Sequence, residues 1–200
     1  MTAADGGGGR GLDRFSTAFL DRDGTLIRDT GYPSEPGEVE LLPGAARAVR
    51  ALNRAGVPVV VTTNQSGIGR GLLTPEEYRD VREEVRRRLR EAGARIDLSL
   101  HCPHAPDGGC GCRKPRLGMH REAAGELEID LGRALYAGDR RSDVEPAART
   151  GGTGLLLRGR PGADEPPGAP RDGRDLPEGC RSAPDLWRGL AEWIGEEETR

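Results

Sequence analysis

Two carboxylates one residue apart, Asp21 and Asp23, follow the apolar run Ala18-Phe19-Leu20 and precede Gly24-Thr25. Residues i and i+2 of an extended segment point the same way. A strand over 17–20 would therefore project both carboxylates from its end into one small space. Two anions that close repel unless a proton or a cation sits between them. An all-oxygen ligand set favours a hard ion such as Mg²⁺. One carboxylate can then attack an electrophile while the other handles a proton, and Gly24 lets the chain turn sharply beside them. Asp and Gly are also ordinary turn formers, so the chemistry depends on what else the chain supplies.

It supplies three further polar clusters. Thr62-Thr63-Asn64-Gln65-Ser66-Gly67 follows a β-branched run. Cys102-x-His104, followed by Cys110-x-Cys112, offers three thiolates and one imidazole, a set that matches a closed, tetrahedral Zn²⁺ site. With all four positions taken by protein, such a zinc is structural and pins a loop too polar to fold on its own contacts. Directly after it comes Arg113-Lys114-Pro115, and Lys114 is the only lysine in the chain. A compact ammonium can sit between a phosphate and a carboxylate, and a phosphate-facing role is expected. Last, Gly138-Asp139 is followed by Asp143. Asp139 is expected to complete the metal site with Asp21 and Asp23, and Asp143 either orients a metal-bound water or caps a helix. His101 and His120 have no partners at ligand spacing and read as surface or loop residues; Cys180 reads as a free thiol.

These clusters need elements to hold them. Thr17–Leu20, Val57–Val61, Ile96–Leu100, Ala134–Ala137 and Gly154–Leu157 read as short strands. Val57–Val61 is continuously apolar, as in a strand buried on both faces of a parallel sheet. Helices are expected from Pro43-Gly44 to about Gly56, from Thr74 to about Ala92, over Met119–Leu127 and over Asp143–Thr150. Thr74-Pro75-Glu76-Glu77 is a helix start with a capping box, and Tyr78, Val81, Val85 and Leu89 mark its apolar face. Alternating strands and helices predict an α/β fold, a Rossmann-like parallel sheet flanked by helices. Ligands gather at the C-terminal ends of such strands, and each of the four polar clusters follows a predicted strand. Residues 27–42 read as a loop too short to form a cap domain.

A chain of 200 residues suits one domain with a real core. Residues 1–13 are expected to be a disordered lead-in, 14–158 the catalytic domain, 159–183 a loose Pro/Gly-rich loop, and 184–200 a helix docking on the core plus a tail. The net charge of -3 gives no electrostatic case for nucleic acid or a membrane surface. No apolar run approaches the roughly 20 residues needed to span a bilayer. With no apolar signal core at the N-terminus, a cytoplasmic protein is expected; its expected partner is a small phosphorylated substrate, and it is expected to be a monomer. Arg, Gly, Ala and Pro are abundant, so Arg-rich surfaces carry little meaning here.

Taken in order, Asp21-x-Asp23-Gly24-Thr25, Thr63, Lys114, and Asp139 with Asp143 resemble the four motifs of the haloacid dehalogenase-like phosphatases. Gly31-Tyr32, Thr63-Asn64-Gln65-Ser66-Gly67-Ile68-x-Arg70-Gly71, Cys102-Pro103-His104 and Cys110-x-Cys112-Arg113-Lys114-Pro115 look like its capless branch. That branch contains the D-glycero-D-manno-heptose 1,7-bisphosphate 7-phosphatases and the histidinol-phosphate phosphatases. The zinc loop is common to both; the Gly-Tyr loop and the Arg-Lys pair look more like the heptose enzymes, whereas Arg140 stands where those tend to have lysine. The resemblance implies a Mg²⁺-dependent phosphatase with Asp21 as nucleophile and Asp23 as acid/base. Mg²⁺ would be held by Asp21, Asp139 and the backbone carbonyl of Asp23, and Thr63 and Lys114 would contact the phosphoryl oxygens. Asp29, Thr30, Gly31, Tyr32, Asn64, Gln65, Ser66 and Arg113 would line the substrate pocket, with Arg113 or Arg140 meeting a second phosphate. The substrate would be a heptose bisphosphate or, with the same chemistry, histidinol phosphate or another small phosphomonoester. A zinc-stabilised binding domain that has lost catalysis is disfavoured, because every catalytic position carries a competent residue.

Overall fold

The computed structural model describes residues 11–158 and 176–194. Among them, six strands form one sheet in the order β3-β2-β1-β4-β5-β6, with every neighbouring pair parallel. The strands are β1 (Thr17–Leu20), β2 (Val59–Asn64), β3 (Leu98–Cys102), β4 (Ala134–Gly138), β5 (Thr153–Leu157) and β6 (Cys180–Ala183). The helices are α1 (Ala45–Arg54), α2 (Ser66–Gly69), α3 (Pro75–Glu91), α4 (Gly118–Leu127), α5 (Arg141–Thr150) and α6 (Leu186–Leu190).

The two-residue period of a strand divides the core. Ala18, Leu20, Val59, Val61, Leu135, Ala137, Leu155 and Leu157 pack on one face with α1, α3 and α6. Phe19, Val60, Ala134 and Tyr136 pack on the other with Ala123 of α4 and Ala147 of α5. Both faces are covered, which is why the runs Ala18–Leu20, Val59–Val61 and Ala134–Ala137 are apolar without alternation. α3 starts on the capping box expected from sequence: Thr74 Oγ1 accepts from Glu77 N at 3.1 Å and Glu77 Oε2 accepts from Thr74 N at 2.7 Å. Its buried residues are Tyr78, Val81, Val85 and Leu89. The segment after β1 leaves the sheet and returns through an antiparallel bridge between Ile27 and Leu41.

Three expectations change. Leu12 sits in a short 3-10 turn, Leu12–Arg14, and is buried in the core, so the last residues of the expected lead-in are part of the fold; residues 1–10 lie outside the described residues. The expected loose loop over 159–183 ends in β6, which pairs with β5 from Gly154↔Cys180 to Leu157↔Ala183; residues 159–175 are not described. Cys180 therefore sits on an edge strand, its thiol donating to the Val144 carbonyl at 3.5 Å. Finally, His120 is fully buried rather than at the surface, on the face of α4 that meets the rings of Phe19 and Tyr136. The expected C-terminal helix is present as α6, and Trp193 beyond it packs edge-on against Phe15 at 4.8 Å.

Candidate active site and metal centre

The order of the sheet explains the site. β1 is flanked by β2 and β4, so the loops leaving these three strands meet at one edge. Asp21 N donates to the Ala137 carbonyl at 2.9 Å, which locks the end of β1 to the end of β4 just before Asp139. Carboxylate oxygens of Asp21, Asp139 and Asp143 lie within 4.8 Å of one another, and all three residues are buried. Two glycines make this approach possible. Gly24 adopts φ +74°, and a Cβ there would lie 2.4 Å from Asp139 Oδ2. A Cβ at Gly138 would lie 2.3 Å from Asp143 Oδ2.

Lys114 lies against this cluster, itself buried. Its Nζ is 2.6 Å from Asp21 Oδ1 and 2.8 Å from Asp143 Oδ1, and it also donates to the Thr62 carbonyl. The two carboxylates hold the lysine above its ordinary range despite the opposing effect of burial. Three buried carboxylates face one ammonium, so full ionisation leaves an excess negative charge. Burial accordingly pushes Asp21 well above the usual carboxylate range, against the pull of Lys114. Asp139 is pushed up to about 7, by burial and then by the charge of Asp143. Asp139 Oδ1 is buried with no hydrogen-bond partner. An orphaned buried carboxylate oxygen beside two further carboxylates fits a divalent cation with oxygen ligands.

Asp23 lines the same pocket, but its side chain does not join the acidic cluster. Oδ1 accepts from Arg22 Nε at 3.0 Å; Oδ2 accepts from Arg22 Nη2 at 3.0 Å and Gln65 Nε2 at 2.8 Å. Gln65 Nε2 also donates to Thr63 Oγ1 at 2.8 Å. Asn64 commits its amide to the backbone of Lys114: Lys114 N donates to Oδ1 at 3.0 Å, and Nδ2 donates to the Lys114 carbonyl at 3.2 Å. Asn64 and Gln65 lie in the pocket wall, and these bonds tie them to the side chains and backbone of the site itself.

The pocket has a volume of about 340 Å³. Besides Asp21, Asp23, Thr63, Lys114 and Asp143, its wall includes Asp29, Gly31, Tyr32, Ser66, Arg113 and Arg140. Thr30 is exposed and absent from that wall. Ser142, which sequence reading passed over, is part of it. Tyr32 Oη is 3.1 Å from Ser66 Oγ and accepts from Arg70 Nη1 at 3.3 Å, tying the loop after β1 to α2. Arg140 Nη2 pairs with Asp29 Oδ2 at 3.1 Å across the pocket mouth. Arg113 carries a buried Nη1 without a partner. Asp143 does not cap α5: Arg140 is the N-cap, and Asp143, at N3, accepts from its N–H at 2.9 Å.

The second cluster precedes Lys114. One ligand atom from each of Cys102, His104, Cys110 and Cys112 lies within 4.8 Å of the others. Cys102 Sγ is 3.5 Å from Cys110 Sγ and 3.6 Å from His104 Nδ1, which is 3.3 Å from Cys112 Sγ. Zinc bonds of about 2.0–2.3 Å give tetrahedral edges of roughly 3.5–3.8 Å, so the residues fit that ion. No pair is close enough to be a disulfide, which needs about 2.05 Å. His101 is not part of this set; it stacks on Tyr78 at 4.2 Å.

Two residues of the site were missed in the sequence. Arg22 lies between the paired aspartates and is almost wholly buried, with its guanidinium 5.4 Å from the centre of the Tyr78 ring. The signal was available: if i and i+2 face the pocket, i+1 faces the interior. Ser142 had no comparable signal.

Comparison with known proteins agrees with this geometry. A family model described as polynucleotide kinase 3 phosphatase matches residues 16–150. A Bordetella bronchiseptica protein named D-glycero-beta-D-manno-heptose-1,7-bisphosphate 7-phosphatase is 36% identical over 180 residues, which is 90% of this chain and 97% of that one. A Thermoplasma acidophilum protein named probable D-glycero-D-manno-heptose-1,7-bisphosphate 7-phosphatase is 39% identical over 129 residues, 64% of this chain and 80% of that one. Among solved structures, the D,D-heptose 1,7-bisphosphate phosphatase of B. bronchiseptica, complexed with magnesium and phosphate, superposes with a TM-score of 0.75 at 32% identity, covering 88% of this chain and 97% of its own. With the four strand-end clusters in place and these relatives matched along most of their length, the chain belongs to the haloacid dehalogenase-like phosphatases, in the group of the heptose 1,7-bisphosphate 7-phosphatases.

Proposed function

We propose that this protein is a Mg²⁺-dependent phosphatase that removes the 7-phosphate of D-glycero-D-manno-heptose 1,7-bisphosphate. The observation that carries the reading is the buried trio Asp21, Asp139 and Asp143 against a single Lys114, with Asp139 Oδ1 unpartnered, at the strand ends. The substrate follows from relatives of that name at 36–39% identity, and from Arg113 and Arg140 in the pocket wall, where a second phosphate would meet guanidinium groups.

The chemistry follows from the side chains. A carboxylate oxygen of Asp21 attacks phosphorus; the bond from phosphorus to the sugar oxygen breaks, and that oxygen takes a proton from Asp23. Water then attacks phosphorus, its proton passes to Asp23, and Asp21 is released. Lys114 fixes one Asp21 oxygen through the 2.6 Å contact and offers its charge to the phosphoryl group. Thr63 Oγ1 accepts from Gln65, so its own proton is free for a phosphoryl oxygen. Mg²⁺, held by Asp21, Asp139 and the backbone carbonyl of Asp23, would neutralise phosphoryl and carboxylate charge. Zn²⁺ on Cys102, His104, Cys110 and Cys112 would be structural, fixing the loop that delivers Arg113 and Lys114. A doubly phosphorylated sugar does not cross membranes unaided, so the enzyme would act in the compartment that holds its substrate, the cytoplasm in this reading.

The test is phosphate release, with and without Mg²⁺, from both anomers of heptose 1,7-bisphosphate and from histidinol phosphate. Mg²⁺-dependent preference for a heptose bisphosphate is expected. Preference for histidinol phosphate would keep the mechanism and overturn the substrate; release from neither would overturn the reading.

A further inference from the structure

We propose that Arg22 and Gln65 are positioning residues that hold the Asp23 carboxylate by Oδ2 and leave Oδ1 to carry the proton. The inference rests on the phosphatase reading and says how its acid/base is aimed. Oδ2 faces three donor contacts: Arg22 Nη2 at 3.0 Å, Arg22 Nε at 3.2 Å and Gln65 Nε2 at 2.8 Å. Oδ1 has one, from Arg22 Nε at 3.0 Å. A carboxylate oxygen offers about two lone-pair sites. Oδ2 is therefore saturated, and Oδ1 retains a site for a proton. The grip also fixes the carboxylate plane, because a guanidinium fork meets both oxygens at once.

Arg22 is an expensive way to fill this space. Its side chain is 2% exposed, and its Nη1 is buried with no hydrogen-bond partner. A buried ion pair is often no better for stability than apolar residues of similar volume, and an unpaired buried donor costs about 1–3 kcal/mol. Stability alone would favour an apolar side chain here. The guanidinium is held in turn by the Tyr78 ring, which stacks on His101 of β3. A chain of contacts thus runs from β3 through α3 to Asp23, and Gln65 joins Asp23 to Thr63. A proton donor aligned in this way matters in proportion to the basicity of the leaving oxygen: an alkoxide needs the proton as it departs, a nitrophenolate hardly does.

The experiment measures kcat/KM for the parent, Arg22→Met, Arg22→Lys and Gln65→Leu, each on a sugar phosphate and on p-nitrophenyl phosphate. This parameter covers steps through departure of the leaving group, so hydrolysis of the enzyme-bound phosphate does not enter. Arg22→Met should lose about 100-fold on the sugar phosphate and under about fivefold on p-nitrophenyl phosphate. Arg22→Lys should recover part of the loss on the sugar phosphate, and Gln65→Leu should show the same split in smaller degree. Equal losses on both substrates would overturn the positioning role. If Arg22→Met does not fold, the split or its absence in Gln65→Leu decides. A parent silent on both substrates would overturn the phosphatase reading itself, and the inference with it.

Discussion

Replacing Asp139 by asparagine in protein free of Mg²⁺ should stabilise the fold, and the gain should grow with pH. Burial first, and the charge of Asp143 second, push the Asp139 carboxyl up to about 7, whereas an aspartate in an unfolded chain titrates near about 3.9. Between those values the folded protein keeps a proton that the unfolded chain has released. The folded state then binds more protons, so this group makes stability fall as pH rises, until the loss levels off above about 7. Asparagine cannot ionise. Its advantage over the parent should therefore grow from about pH 5 to about pH 8 across roughly two pH units of active titration. At ~1.4 kcal/mol per unit that is at most about 3 kcal/mol, or about 6–12 °C in Tm for a domain of this size. His120 and His101, whose pKa values burial lowers, act in the opposite sense over part of this interval. Both proteins carry them, so they cancel in the difference. The assay is thermal unfolding of the two proteins at several pH values, with zinc retained and Mg²⁺ withheld. Added Mg²⁺ should then stabilise the parent, most at high pH, and do little for Asp139→Asn. An offset that stays constant with pH, or shrinks as pH rises, would refute the claim that Asp139 is a strained acid awaiting a cation.

Lys114→Met leaves buried Asp21 and Asp143 facing each other without their shared cation; a loss of about 3–5 kcal/mol in denaturant titration is expected, with phosphate release down at least about 100-fold. Gly24→Ala puts a Cβ into Asp139 at a backbone φ of +74°; it should cost about 1–3 kcal/mol and raise the Mg²⁺ concentration needed for half-maximal activity, and an unchanged Mg²⁺ requirement would count against Asp139 as a metal ligand. Metal analysis of protein purified without added zinc should find about one zinc per chain, and Cys110→Ser should lose it together with activity, because the loop leads directly into Lys114; a zinc-free, fully active protein would contradict this. His120 is buried, with both ring nitrogens unpartnered and its pKa lowered to about 3. This group alone should therefore cost stability as pH falls below about 6.5, roughly 2 kcal/mol at about pH 5; because Asp139 acts in the opposite sense over the same interval, the cost is read as the difference between the parent and His120→Met, which should grow as pH falls, and a difference independent of pH would contradict it.

The parts of the fold that sequence revealed are those written in local chemistry. The Thr74–Glu77 capping box, the buried stripe Tyr78-Val81-Val85-Leu89 and the apolar run Val57–Val61 that leads into β2 each need only near neighbours in the chain to be recognised. The same holds for Asp21-x-Asp23-Gly24 and the Cys-His loop, whose ligands lie close together in sequence. What was not legible depends on partners far along the chain. β6, Cys-Arg-Ser-Ala, has no apolar alternation and becomes a strand because β5 offers it an edge. Asn64 and Gln65 do lie in the pocket wall; what could not be read is that their amides bond to Lys114 and to Asp23 with Thr63, contacts that span 42–50 residues for all but the Thr63 bond. His120 could have been placed inside: with Ala123 and Leu127 it shares a three-to-four-residue spacing on one helix face. A histidine without ligand partners can be a core residue as readily as a surface one, and the spacing, not the missing partners, carries the information.

The most direct test of the central claim follows heptose 1,7-bisphosphate by phosphorus NMR in the presence of Mg²⁺, with the parent and with Asp21→Asn. The account predicts that the parent removes the signal of the 7-phosphate, leaves that of the 1-phosphate and releases one equivalent of inorganic phosphate, while Asp21→Asn, folded as the parent is, does nothing. Loss of the 1-phosphate, or turnover by Asp21→Asn at the parent's rate, would contradict it.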